Sequence, residues 1–223
     1  MPGRSAVIVR IVLPVQLASI RDAGDRMAAR GVPAHVTVLF PFLAVADLAP
    51  AVRSALARVA ADQAPFDARF SRVERREQMV WLLPEDQERF RELTDSVATM
   101  WPDHPPYGGI HDTVIPHLTL LETTDGPALD AAWSTAVEAG PFVVAVRELT
   151  VITESTLGRW RTRWRLPMGD GYLRKSGACP GAASVRKTTG ASGLRCPGRA
   201  TQAPARTTRC LPSSVARGRP AHG

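Results

Sequence analysis

The sequence predicts an α+β fold with two pseudo-symmetric antiparallel-sheet lobes, outer helices and a central cleft, followed by a disordered C-terminal tail. Three observations predict it. Runs rich in Val and Ile alternate with helical periodicities, and hairpin turns occur beside longer crossovers, which suits α+β rather than a doubly wound parallel sheet. A short polar pattern occurs twice, in matching strand contexts 82 residues apart. The composition changes abruptly near residue 170.

Taken in order, residues 5–13 are rich in Val and Ile and read as a buried strand. Arg10 interrupts this run and Pro14 closes it, so it is a poor secretory signal and a cytoplasmic location is expected. Residues 15–30 read as a helix, with Leu17, Ile20 and Met27 among its apolar positions and Gly31 as its stop. Pro33 leads into a strand at 34–40, and Pro41 ends it. Asp47 is the expected cap of a helix reaching residue 62, whose Val52, Leu56 and Val59 share a face. Phe66, Ala68 and Phe70 alternate with polar residues along a strand at 66–73. The polar run 74–77 turns the chain into a strand at 78–83. A helix over 85–100 uses Phe90, Leu93, Val97 and Met100 as its apolar positions. The Pro- and Gly-rich stretch 101–115 is a long loop, and loops of that length in a compact domain tend to be functional. A strand at 117–121, a helix at 127–139 opened by Pro127, and strands at 142–153 and 158–166 complete the domain.

The net charge of +7 is unevenly placed. Residues 1–170 hold 18 Arg, no Lys and all 21 acids, a net charge of −3. Residues 171–223 hold 8 Arg, 2 Lys and no acid, a net charge of +10. Every aromatic lies at or before Tyr172, and all three cysteines (Cys179, Cys196, Cys210) lie after it. Residues 173–223 contain only five large aliphatics, too few to offset chain entropy by burial. The chain therefore divides into a folded domain, 1–170, and a disordered basic tail, 171–223. The tail reads either as a nucleic-acid-binding arm or as an unselected extension, for instance one read in a shifted frame; the abrupt loss of acids and aromatics favours the second. Cysteine spacings of 17 and 14 match no zinc pattern. No stretch of about 18 uncharged apolar residues exists, so no membrane partner is expected.

The repeated pattern lies in residues 33–39 (PAHVTVL) and 115–121 (IPHLTLL). Both are H-x-T within an apolar strand shortly after a proline. Strand residues two apart share a face, so His35 and Thr37 share one face, as do His117 and Thr119. Val36, Val38, Leu118 and Leu120 then face the core. A single H-x-T is unremarkable, because Thr is a good strand former. Two matched copies imply an internal duplication, with the motif strands brought together at a cleft. Two imidazoles and two hydroxyls around one point suit phosphoryl transfer: one neutral His accepts a proton, one protonated His donates one. The two hydroxyls donate to phosphate oxygens.

On these two motifs, over roughly residues 5–168, the chain resembles the two-histidine phosphoesterase superfamily, which contains 2'-5' RNA ligase-like proteins and cyclic phosphodiesterases. The resemblance implies a bilobal α+β fold, His35 and His117 as the catalytic pair, and Thr37 and Thr119 as phosphate ligands. It implies a cyclic phosphodiesterase, metal-independent and without cofactor, acting on a 2',3'-cyclic phosphate or a related nucleotide or RNA-end phosphodiester, or joining RNA ends through 2'-5' linkages. RNA contact and a monomeric state are expected. The alternative is a non-catalytic module that binds a nucleotide or RNA end in the same cleft.

Neighbouring residues extend the expected site. Phe42 is a candidate for stacking on a base, and Phe40 reads as a core residue. Tyr107, beside Gly108 and Gly109, is a candidate ligand contact on a loop lid. Arg159, Arg161, Arg163 and Arg165 alternate along the last strand, opposite Trp160, Thr162 and Trp164. Arg161 and Arg163 are the candidates to reach the phosphate; the plainer reading of such a row is a solvated face. His104 and His111 have no metal-ligand spacing on a regular element, and a metal-dependent hydrolase using them is the least favoured reading.

Overall fold

The computed structural model describes residues 3–110 and 113–169. The basic tail and His111 lie outside the described residues. The elements run β1 (Ser5–Arg10), α1 (Val15–Gly24), α2 (Arg26–Ala29), β2 (His35–Leu39), α3 (Pro50–Ala61), β3 (Phe66–Arg75), β4 (Met79–Pro84), α4 (Glu88–Met100), β5 (Leu118–Glu122), α5 (Gly126–Ala139), β6 (Phe142–Val146), β7 (Glu148–Glu154) and β8 (Trp160–Pro167). Two 3₁₀ turns, Val45–Asp47 and Pro106–Gly109, lie in the connections.

The expected α+β architecture is present as one antiparallel sheet of eight strands in the order β6-β3-β4-β5-β2-β1-β7-β8. Its two halves meet at the motif strands, β2 and β5. On either side of that seam the order is symmetric: β1 and β4 flank the motif strands, and a helix connects each flanking strand to its motif strand. The two lobes are thus halves of one curled sheet. The chain itself requires the curl. Strands β6 and β7 stand first and seventh in the sheet, so a flat sheet would separate them by roughly 29 Å at about 4.8 Å per strand. Only Arg147 joins them, and one residue spans about 7 Å between its neighbours' Cα atoms.

The sequence reads residues 142–153 as one strand because no Gly, Pro or other turn residue marks a break at Arg147 and Glu148. The break is tertiary: β6 pairs with β3 in one half, while β7 pairs with β1 and β8 in the other. The expected helix at 15–30 also divides. Asp25 leaves the helical region and its carboxylate caps α2 by accepting from the Ala28 N–H at 2.8 Å. Asp47 caps no helix; it ends a 3₁₀ turn, and α3 begins at Pro50, where proline's missing N–H costs nothing. Gly31 ends the α2 segment at φ +90, where a Cβ would sit 2.7 Å from the Trp160 carbonyl oxygen.

The main core lies between the sheet and helices α1, α3, α4 and α5. Leu17, Leu56, Phe90, Leu93 and Leu129 pack there against Val36, Val38, Leu118 and Leu120, all nearly or fully buried. The helices therefore cover the sheet face opposite His35, Thr37, His117 and Thr119. Helix α1 packs on β5 and α4 on β2, so each half's connecting helix supports the other half's motif strand. A second, smaller apolar cluster of Ala6, Ile8, Val32, Ile152 and Trp160 lies on the other face, toward the first-half end of the cleft.

Candidate active site

The site follows from strand geometry. Strands β2 and β5 pair antiparallel with Val36 opposite Leu118. Continuing that register by one residue each way sets His35 across from Thr119 and Thr37 across from His117. The four side chains form a square on the open face of the sheet, two histidines on one diagonal and two threonines on the other. All four line one cavity of about 480 Å³.

The histidines are held alike. In each, Nδ1 lies against the carbonyl oxygen two residues earlier: Pro33 at 2.8 Å for His35, Ile115 at 2.7 Å for His117. A carbonyl only accepts, so Nδ1 carries the proton in both rings. The neutral imidazole then has an unprotonated Nε2 available to take a proton. Burial, opposed by the bond to Pro33 and assisted by the nearby Arg21 and His117 charges, lowers the His35 pKa to about 4. Burial also lowers the His117 pKa, against the bond to Ile115, with Arg76 adding to the effect. His117 further stacks on Trp81, with ring centroids 4.1 Å apart and planes 16° from parallel.

Each motif carries a bulge one residue after its threonine. On β2, Thr37 faces Ile8 and Leu39 faces Val7, so Val38 is the extra residue. On β5, Thr119 faces Trp81 and Leu121 faces Val80, so Leu120 is the extra residue. A bulge reverses the alternation beyond it. Leu39 and Leu121 therefore enter the core, while Phe40 and Glu122 turn to the cavity. The bulge thus turns Phe40, expected in the core, toward the cavity; Phe42, the expected stacking residue, lies beyond the end of β2, where strand alternation does not place it. Phe40 lines the cavity. Phe42 is buried in the core, edge-on to Trp101 at 5.2 Å between ring centroids.

Tyr107 does line the cavity, and the 3₁₀ turn that carries it is docked on the end of β2. The Tyr107 N–H donates to the Phe40 carbonyl at 2.6 Å, and the phenol is hydrogen-bonded to Thr37. Burial raises its pKa, and the bond to Thr37 works against that. The residue holds φ at 53°, a costly position for a bulky side chain, sustained by these two contacts. Arg161 and Arg163 are exposed and do not line the cavity. The expected alternation of β8 is broken by a bulge: Val151 faces Trp164 and Ile152 faces Thr162, leaving Arg163 as the extra residue. The Arg row therefore does not share one face.

The guanidinium groups that do line the cavity are Arg4, Arg21, Arg26 and Arg30. Arg4 is fixed by a two-point ion pair with Glu154, at 2.7 and 3.0 Å, and lies 5.8 and 5.7 Å from the ring centroids of Phe40 and Trp160. Sequence reasoning missed the group of Arg4, Phe40, Glu154 and Trp160 because its members come from the ends of β1, β2, β7 and β8, far apart in the chain. A signal for Arg21 was legible: it lies four residues after Leu17, on the buried stripe of α1, where a charge is out of place. His104 is not among the cavity residues. Among the described residues, no group of three or more His, Cys, Asp and Glu side chains is placed to hold a metal ion. No helix among them is long and apolar enough to cross a membrane.

The family model described as the 2'-5' RNA ligase superfamily matches residues 11–156, a span that contains both motifs. The chain belongs to the 2'-5' RNA ligase superfamily. Membership gives it a phosphoesterase or 2'-5' RNA ligase-type function at that level. Among solved structures, this superfamily member is similar to Escherichia coli LigT complexed with 3'-AMP, at 21% identity and a TM-score of 0.46, over 76% of this chain and 99% of that one. It is similar to TT0787 of Thermus thermophilus, at 17% identity and a TM-score of 0.47, over 74% and 97%. Usb1 of Kluyveromyces marxianus is a further match, at 12% identity and a TM-score of 0.42, over 74% and 98%. No curated protein matches the chain.

Proposed function

We propose that this protein is a metal-independent cyclic phosphodiesterase that opens a 2',3'-cyclic phosphate, or a related nucleotide or RNA-end phosphodiester, by paired histidine acid–base catalysis. The observation that carries this reading is the diagonal pair of imidazoles, each with Nδ1 committed to its own strand and Nε2 left for the substrate. One neutral ring takes the proton of an attacking water while the other, protonated, gives a proton to the departing ribose oxygen. A P–O bond forms and a P–O bond breaks, and a phosphomonoester with a free ribose hydroxyl remains. Thr37 and Thr119 donate to the non-bridging oxygens. Tyr107, kept protonated by burial, is hydrogen-bonded to Thr37 and so fixes where that hydroxyl lies in the cavity.

Surroundings support one assignment of the two roles for hydrolysis. His35 is held neutral by burial and by the Arg21 cation, which suits the base. His117 lies against the face of Trp81, which stabilises an imidazolium, and this suits the acid. The roles exchange in the reverse, ligating direction. The substrate's base or ribose fits the apolar end formed by Phe40 and Trp160, with Arg4 above it. The test is incubation with 2',3'-cyclic nucleotides and cyclic-phosphate-ended RNA in EDTA, with the product identified as the 2'- or 3'-monoester. Turnover that survives chelation supports the reading. Tight binding with no product after prolonged incubation would make the cleft a binding module instead.

A further inference from the structure

We infer that Arg21 is a positioning residue whose single guanidinium holds the backbone of both motif segments and thereby sets the placement of His35 against His117. This rests on the phosphodiesterase reading of the same cavity. The geometry is direct. Arg21 Nη1 donates to the Thr119 carbonyl at 2.7 Å, 98 residues along the chain. Its Nη2 donates to the carbonyls of Val32 at 3.3 Å and Pro33 at 3.4 Å. Asp25, four residues on, pairs with Nη1 at 3.1 Å. The fork therefore spans the second motif and the entry to the first.

Two features make this strap more than packing. The β2–β5 ladder consists of one residue pair, Val36 with Leu118, whereas neighbouring ladders run to several pairs. Backbone pairing alone thus fixes the seam weakly at the place where the chemistry needs it fixed. Second, the Pro33 carbonyl held by Arg21 also accepts the His35 Nδ1 proton. A shift of that oxygen moves the imidazole with it. The arrangement is costly as a stability device. Both side chains of the ion pair are almost wholly buried, and the Arg21 Nε–H has no hydrogen-bond partner among the described residues. A buried charge kept at that cost in the wall of the cavity fits a role in the site.

The groups whose charge acts on His35 are Arg21 from α1 and His117, which directly precedes β5; Arg4, Asp25, Arg26, Arg30, Tyr107 and Glu122 line the same cavity. The test compares Arg21→Lys, Arg21→Met and Asp25→Asn with the wild type. Asp25→Asn keeps an acceptor for the Ala28 N–H and is the mildest. Steady-state kinetics with a 2',3'-cyclic nucleotide is one readout. An NMR titration of the ¹⁵N-labelled imidazoles is the other, and it needs no turnover. Arg21→Lys keeps the charge but cannot span three carbonyls, so kcat is expected to fall tenfold or more with KM within about threefold. Its His35 titration stays near that of the wild type, while the imidazole signals of both histidines move. Arg21→Met lowers kcat similarly and raises the His35 pKa, because the neighbouring cation is gone. Should Arg21→Met fail to fold, Arg21→Lys and Asp25→Asn decide. Folded variants with wild-type kcat and unmoved imidazole signals would overturn the inference. If the wild type turns over no cyclic phosphate, the functional reading fails, yet displaced imidazoles in Arg21→Lys would still support the strap.

Discussion

The two motif strands are alike where they touch the chemistry and unlike everywhere around it. Each offers a histidine tied by Nδ1 to the carbonyl two residues before, a threonine on the same face, and a bulge directly after. Beyond the bulge the halves part. The first presents Phe40 to the cavity, close to Trp160 and Arg4; the second presents Glu122, paired with Arg26 at 2.9 Å. His35 lies beside a buried cation, while His117 lies on an indole face. In the proposed mechanism the repeated motif supplies a symmetric square of two histidines and two threonines, and residues outside the motif make its halves unequal. An acid and a base can arise from two copies of one motif because their surroundings differ.

The largest effect tests the shared part. His35→Ala and His117→Ala are each expected to lower kcat/KM by at least about 10²-fold, the usual loss of a general acid or base. Their equivalence in size would confirm the square; a variant near wild-type rate would remove that histidine from the chemistry. The wild-type pH profile then tests the unequal part. With His35 as base, kcat/KM falls at low pH as His35 takes a proton, near pH 4. With His117 as acid, it falls again as pH rises through the depressed His117 pKa, below the ordinary 6.5. The optimum should lie on the acid side of neutrality. A flat rate from pH 6 to 9 would reject that role assignment.

The sequence showed this much for physical reasons that can be traced to particular residues. The H-x-T pairs were legible because strand periodicity fixes which side chains share a face, and because two copies in like contexts imply one point of convergence. Helix α4 was legible from its apolar spacing and α5 from Pro127 in its first turn. The bulges at Val38 and Leu120 were not, since a bulge is a relation between two strands and leaves no mark on one. The bulge at Val38 turned Phe40 out of the core, while Phe42 enters the core beyond the end of β2, where strand alternation no longer applies. The bulge at Arg163 likewise undid the regular Arg row. The division at Arg147 was hidden because both sides of it are good strand sequence; only the partners differ. Arg21 and the Arg4–Glu154 pair escaped because their meaning lies in contacts 98 and 150 residues away.

A smaller effect sharpens the contrast between Phe40 and Glu122. If the first half receives the base or ribose, Phe40→Ala should raise KM about tenfold for a cyclic nucleotide, from loss of one stacking contact of roughly 1–3 kcal/mol. The same variant should leave KM almost unchanged for a cyclic phosphodiester that carries no base. Glu122→Gln keeps an acceptor for Arg26 and should change KM by no more than about threefold with either substrate. Equal KM changes for both substrates in Phe40→Ala would mean that Phe40 shapes the square rather than holding a base.

The smallest effect separates the two imidazoles without any substrate. His35 has a folded-state pKa of about 4 against an ordinary value of 6.5, so between those values the unfolded chain binds more protons than the folded one. The stability associated with the neutral ring is complete above pH 6.5 and is lost progressively as pH falls toward 4. Full burial would make that loss about 3 kcal/mol. The ring keeps some accessible surface in the cavity, so the loss should be smaller. His117 is shifted in the same direction and contributes over the same side of neutrality. Melting temperatures at pH 7 and pH 4.5 then compare the wild type, His35→Gln and His117→Gln. The wild type should lose the most on acidification and His35→Gln the least, since the glutamine cannot take up the proton. Carboxylates that titrate in the same range are common to all three proteins and cancel in the comparison. Parallel losses in the wild type and His35→Gln would show that His35 is no more enclosed than an exposed histidine, and its assignment as the neutral base would lose its physical ground.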